Sequence, residues 1–197
     1  MPTLAQAKNS NEWEHLWKPA TEKEMKNLDD NGTGEVVNFE DIPQNATIYP
    51  SKLILKKKRD SENSFTSAKA RLVVCSNLTK NLFATLFAPT ANDKSIKLLF
   101  AIAMIFSLKI IGIDIKGAFL YPELKEPVYI SLPKNLEKGI IYWKLRKTLY
   151  GLPQSPKAFY EDISCILIKH GYCRTDADPC FFYKRENDDM IFLCNVT

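Results

Sequence analysis

The chain has 197 residues, is 45% hydrophobic and 25% charged, and sets 27 Lys+Arg against 23 Asp+Glu for a net charge of +4. That composition excludes wholesale disorder and supports a packed core, while the mild positive excess permits an anionic partner without requiring one. Cys75, Cys165, Cys173, Cys180 and Cys194 are irregularly spaced and form no C-x-x-C, which argues against a zinc site or a disulfide framework and for a reducing compartment.

The first ten residues show no secretory pattern. Trp13, Leu16, Trp17 and Ala20 fall at helical spacing. Thr21 with Glu24 is predicted to cap a second short helix through Met25 and Leu28, which Asn31-Gly32 closes. A polar, proline-containing stretch then runs to about Pro50. Residues 52–74 are predicted as a β-hairpin, with LILKKK, a turn at DSEN, and the return strand FTSAKARLVV.

Residues 94–106, KSIKLLFAIAMIF, are apolar nearly all round and predict a helix buried on most sides. The apolar stretch Leu98 to Phe106 is the longest in the chain and too short to span a bilayer. IIGIDIKGAF predicts a short apolar strand interrupted by Asp114, and VYISL alternates as another. YWKLRKTLYGLPQSP reads as a basic strand and turn leading to a helix, with Ser155 as N-cap and Pro156 in the first position. Phe159, Ile163, Ile166, Leu167 and His170 form its predicted apolar face and Gly171 its stop. CFFYK and MIFLCNV, joined at ENDD, close the chain as a hairpin. Mixed helices and antiparallel hairpins indicate an α+β architecture.

Three features bear on chemistry. Asp114 sits where apolar residues belong, and burying a carboxylate uncompensated costs on the order of several kcal/mol. Either a metal ion compensates it, or it is an exposed residue at a strand end. Lys56, Lys57, Lys58 and Arg59 are consecutive and Lys69 and Arg71 lie on the return strand, so the opposed strands can bring Lys57 or Lys58 near Arg71 in a cluster for phosphate oxygens. The same charges also suit a solvated strand edge that discourages pairing. LYGLPQSP presents the Gln154 amide just before a helix, where it can meet a base, sugar or phosphate, or serve only as a turn. His15 and His170 are too few and too far apart for a metal triad or a serine-histidine relay, and no phosphate-binding glycine motif is present.

In series, WKPATEKEMKNLDDNGT, LILKKKRD with AKARLVV, LFAPT with SIKLLFAIA, IDIKGAFLYPELKEPVYISLP, WKLRKTLYGLPQSPKAFY and DADPCFFY resemble the reverse transcriptase of copia-type LTR retrotransposons over about residues 13–197. The resemblance implies a partial right-hand polymerase fold: a helical lead-in over 1–50, then a fingers β-hairpin and incomplete palm over 51–197. It implies RNA-directed DNA polymerase chemistry on a dNTP and a primer 3′-hydroxyl with two Mg²⁺ ions. Asp114 and the Ile115 carbonyl match metal ligands. Lys57 (or Lys58, one residue on) and Arg71 match the cations on the triphosphate. Phe119 matches the gate against a 2′-hydroxyl, and Gln154 matches the glutamine beside the incoming nucleotide.

An RNA template, a DNA primer and the rest of a Pol polyprotein are the implied partners, with no membrane. The implied location is the cytoplasm, within the virus-like particle of an intact element, or the nucleus. The chain departs from the pattern in ending at LCNVT without the aromatic-x-Asp-Asp turn, in Gly34, in Cys75-Ser76, and in a shortened NLTKNLFATLFAPT. It is therefore expected to hold Mg²⁺ weakly or not at all and to be inactive alone. The alternative is a non-catalytic remnant of a transposable element, at most a weak nucleic-acid-binding module.

Overall fold

The computed structural model describes residues 1–76, 87–134, 136, 139–187 and 189–195. The expectation that residues 77–90 are shortened falls largely outside the described residues. Mixed helices and strands build two units, one from residues 1–83 and 119–155, the other from 84–118 and 156–197.

The first unit opens with α1 (Leu4–Lys8), which the sequence reading missed. Its signal was present: the Thr3 hydroxyl accepts from the Gln6 N–H while the Gln6 side chain reaches back to the Thr3 N–H, a reciprocal cap. A π-helical turn at Trp13–Trp17 runs directly into α2 (Lys18–Asp30). The expected break at Thr21 does not occur. Thr21 is buried and its hydroxyl donates to the Trp17 carbonyl at 2.8 Å, inside one continuous helical run. Glu24 accepts the Leu72 N–H at 3.2 Å, so the residue read as a cap partner instead covers a sheet edge. Burial raises the Glu24 pKa, against the pull of that N–H and of Lys69 and Arg71 nearby.

The sheet of this unit has the order β1-β5-β4-β2-β3, with β1 (Gly34–Val37), β2 (Ile48–Arg59), β3 (Phe65–Val74), β4 (Glu123–Ser131) and β5 (Tyr142–Lys147). β1 lies in the stretch read only as polar loop. All pairings are antiparallel except β2 with β4. β2 changes partner along its length: Ile48–Pro50 pair with β4, and the residues from Ser51 onward pair with β3 as the predicted hairpin. Pro127 in β4 sits where the register with β5 shifts, a place that tolerates a missing N–H. The core gathers Trp17, Leu28, Leu55, Leu72, Leu120, Ile130, Leu145 and Leu149. Fully burying each such side chain is worth roughly 1.5–3 kcal/mol.

After β5 the chain is clamped to the end of β3. The Val74 N–H donates to the Tyr150 carbonyl at 2.8 Å, and the Ser76 hydroxyl donates to the Gly151 carbonyl at 2.6 Å. The Ser155 hydroxyl donates to the Leu149 carbonyl at 2.7 Å, closing the loop on itself. The Thr148 hydroxyl donates to the Phe119 carbonyl at 2.6 Å. Gly151 has φ +89°, and a Cβ there would lie 2.1 Å from the Val74 carbonyl oxygen.

The second unit holds α3 (Asp93–Ile105), α4 (Ser155–Lys169, from Pro156 onward) and an antiparallel meander of β6 (Cys173–Arg174), β7 (Phe181–Glu186) and β8 (Asp189–Cys194). α4 stops at Gly171, φ +84°, as expected. Its buried face is Phe159, Tyr160, Ser164 and Leu167, whereas Ile166 and His170 are exposed, contrary to the predicted face. α3 forms where expected, but Ala103 is its one buried residue, and Leu98, Phe100, Met104 and Ile105 are each half or more exposed. An apolar helix needs cover on every side to be buried, and its principal neighbour among the described residues of this unit is β8.

Asp178 ties the second unit together. Its carboxylate accepts the Asn92 N–H at 2.9 Å at the start of α3 and the Cys180 N–H at 2.8 Å before β7. Burial pushes the Asp178 pKa up, yet hydrogen bonds from Ser95, Asn92 and Cys180 together hold it below the ordinary value. Cys180, fully buried, has its thiol pushed up to about 11 by burial and by the Asp178 and Cys194 charges, and all five cysteines are free.

Two outcomes follow. Asp178→Ala strands two backbone N–H groups and is expected to destabilise by about 3 kcal/mol in urea denaturation, since hydrogen bonds to a charged acceptor are worth ~1.5–3 kcal/mol each. Because its folded pKa is depressed, the Asp178 contribution is present above the unfolded carboxylate range and is lost as pH falls through the folded value, a loss that Asp178→Ala should not show. Gly151→Ala combines the left-handed penalty of about 1–2 kcal/mol with a backbone overlap and should cost more than that penalty alone.

Candidate nucleotide site

Strand alternation sorts the basic hairpin into two faces. In the register, Arg71 lies opposite Ile54, and Lys69 opposite Lys56. Lys58 lies opposite Ser67, so Lys56, Lys58, Lys69 and Arg71 share one face. Lys57 lies opposite Ala68 and belongs with Leu53, Leu55, Ala70 and Leu72 on the core face. There its ammonium meets the Glu12 carboxylate at 2.5 Å and stands 5.8 Å from the Trp17 ring centroid. The Lys57 partnership holds Glu12 below the ordinary carboxylate range. Of the two lysines that the sequence left open, Lys58 is the one on the Arg71 face.

Arg71, Tyr150 and Phe119 form a stack. The Arg71 guanidinium carbon lies 4.8 Å from the Tyr150 ring centroid. The Phe119 and Tyr150 centroids are 5.3 Å apart with planes at 78°, an edge-to-face pair. Both geometries are favourable for an electron-rich ring face, one through its quadrupole toward a cation and the other toward an aromatic edge. Phe119 reaches the stack because its carbonyl is held by Thr148 and because the next residue, Leu120, is buried in the core. Tyr150 reaches it because its own carbonyl is held by Val74. Gln154 follows in the same clamped loop, half-buried, and its amide makes no side-chain hydrogen bond to the described residues. Tyr150 was not singled out from the sequence. Its signal was the LYGL run itself, but only the pairing of the loop with β3 shows what the ring touches.

Asp114 belongs to the other unit. The run Ile110 to Ile115, read as a strand, has no regular structure and pairs with no strand among the described residues. Asp114 is exposed there, beside Ile113 at 82% and Ile115 at 41% exposure, so the burial argument for a compensating metal does not apply. Among the described residues no three His, Cys, Asp or Glu side chains come close enough together to hold a metal ion. A lone exposed carboxylate and a neighbouring carbonyl fall short of the ligands that Mg²⁺ takes, so the described residues do not by themselves fit a two-ion site. No described helix is long and apolar enough to cross a membrane.

Residues 34–196 match the family model described as reverse transcriptase (RNA-dependent DNA polymerase). The chain is 33% identical over 184 residues to the retrovirus-related Pol polyprotein from transposon TNT 1-94 of Nicotiana tabacum, covering 90% of this chain and 14% of that protein. It is 30% identical over 182 residues to the corresponding polyprotein from transposon RE1 of Arabidopsis thaliana, covering 90% of this chain and 12% of the relative. It is also 32% identical over 124 residues to the truncated transposon Ty1-A Gag-Pol polyprotein of Saccharomyces cerevisiae, covering 62% and 10%. The chain thus spans a small part of the length of these polyproteins. With the matched residues running from β1 through β8, the chain belongs to the reverse transcriptase family, in the branch carried by copia-type retrotransposon Pol polyproteins.

Proposed function

We propose that this chain provides the nucleotide-facing part of an RNA-directed DNA polymerase, a fingers hairpin with part of a palm, working within a longer Pol polyprotein. The observation that carries the reading is the stack of Arg71, Tyr150 and Phe119, with Arg71 on the face of the hairpin that also bears Lys56 and Lys58. A guanidinium with neighbouring ammonium groups suits a triphosphate, which is recognised by charge-assisted hydrogen bonds. An aromatic ring beside them suits the sugar, with Phe119 excluding a 2′-hydroxyl and Gln154 meeting the base or sugar. Phosphoryl transfer asks chiefly for positioning and charge neutralisation, which these groups would supply on the nucleotide side.

Asp114 and the Ile115 carbonyl would contribute ligands to a Mg²⁺ site in the intact polymerase, where bound metal would supply charge neutralisation for phosphoryl transfer. The described residues do not complete that site. The RNA template, DNA primer and dNTP are the proposed partners, alongside the rest of the polyprotein. The cytoplasm, in a virus-like particle, or the nucleus is the proposed location. The helical run before residue 50 would brace the hairpin through Glu12, Trp17 and Glu24 rather than contact substrate.

In calorimetric titrations with dATP, Arg71→Ala and Lys58→Ala are each expected to weaken binding by about tenfold, the equivalent of one charge-assisted contact of about 1.4 kcal/mol. Lys57→Ala should leave dATP affinity unchanged while lowering stability. Loss of affinity in Lys57→Ala with none in Arg71→Ala would reverse the assignment of faces. For the chemistry, a chain continued through the remaining polymerase region of an intact relative should extend a primer on an RNA template and lose that activity with Asp114→Asn. Extension by the 197-residue chain itself, abolished by Asp114→Asn, would show instead that the described residues suffice.

A further inference from the structure

We infer that Tyr150 is a positioning residue of the nucleotide site, its ring setting both the Arg71 guanidinium and the Phe119 side chain; this rests on the reading of Arg71 and Phe119 given above. Arg71 is exposed on an edge strand, and a free arginine there would sample many rotamers. The Tyr150 ring 4.8 Å from its guanidinium gives that cation one preferred place. The same ring meets Phe119 edge to face at 5.3 Å, so the angle of the proposed sugar gate and the position of the proposed phosphate cation are set by one group.

The ring can serve this way because its backbone does not move freely. The Tyr150 carbonyl accepts from Val74, three residues along β3 from Arg71. The Gly151 carbonyl accepts from Ser76, and Gly151 approaches Val74 more closely than any residue with a Cβ could. Strand and loop are thereby locked at the point from which Arg71 and Tyr150 both project. The Tyr150 hydroxyl makes no hydrogen bond to the described residues, so the aromatic face, and not the hydroxyl, carries the role. Pre-organisation of this kind raises affinity by removing the cost of ordering the groups on binding.

The test uses the full chain, titrated calorimetrically with dATP and with ATP, and NMR of the Arg71 Nε–H signal, which a ring in contact displaces. Tyr150→Phe is expected to keep both affinities within about twofold and to keep the displaced Arg71 signal. Tyr150→Leu, with Tyr150→Met as a second variant should the first not fold, is expected to weaken dATP binding about tenfold, the loss of roughly one cation–ring and one ring–ring contact. It should also bring the dATP-to-ATP affinity ratio toward one and return the Arg71 signal to its unstacked position. Arg71→Ala combined with Tyr150→Leu should bind dATP no worse than Arg71→Ala alone, because the two act as a unit.

Folded Tyr150→Leu or Tyr150→Met binding dATP and ATP as the original chain does would overturn the role of Tyr150 and leave the nucleotide site standing. No binding of dATP by the original chain would overturn the site and the role together. A displaced Arg71 signal in that case would show that the stack exists without serving nucleotide.

Discussion

The close approach of the Tyr150–Gly151 peptide to the end of β3 governs where the site residues of the first unit lie. One backbone hydrogen bond, Val74 to Tyr150, and one side-chain hydrogen bond, Ser76 to Gly151, join a loop and a strand separated by more than seventy positions. The approach leaves no room for a Cβ, so a glycine with positive φ is the residue that permits it. Once that contact forms, Arg71 on the strand and Tyr150 on the loop have one relative placement. Phe119 joins them because Thr148, at the head of the same loop, holds its carbonyl.

The hairpin that carries Arg71 is held from its other face. Lys57 is a charged residue at a core-facing position, and it is accommodated by Glu12 and by the Trp17 ring. Its stem can lie along apolar surface while the ammonium reaches a carboxylate. Glu24 takes the Leu72 N–H on the exposed edge of β3, a place where an unpaired backbone group would otherwise invite another strand. The N-terminal helices thus do for the hairpin what a further strand would do: they bury its inner face and cover part of its edge.

The second unit follows a different economy. Asp178 gathers the start of α3 and the start of β7 through one buried carboxylate. Beyond it, α3 and the run through Asp114 display large apolar side chains, among them Met104, Ile105, Phe106, Ile111 and Ile113. Large apolar side chains are ordinarily buried. Here the apolar pattern and the burial disagree, and Asp114 lies within that disagreement.

Periodicity and turn chemistry determined the hairpin at residues 52–74, α3, the strand after Tyr142, the start and stop of α4 and the closing hairpin, because each of these is specified by residues close together in the chain. Order and spacing of the motifs determined the family and, through it, the roles implied for Asp114, Arg71, Phe119 and Gln154. Tertiary structure alone decided the rest. Which of Lys57 and Lys58 faces Arg71 depends on the pairing register, where one residue of shift exchanges the faces of a strand. That Glu24 meets β3, that Asp178 is buried and that α3 is largely exposed are facts about distant neighbours, which no local pattern encodes. Tyr150 is the plainest case: a tyrosine in a turn has no assigned partner until the loop closes on Val74, and only then does its ring meet both Arg71 and Phe119.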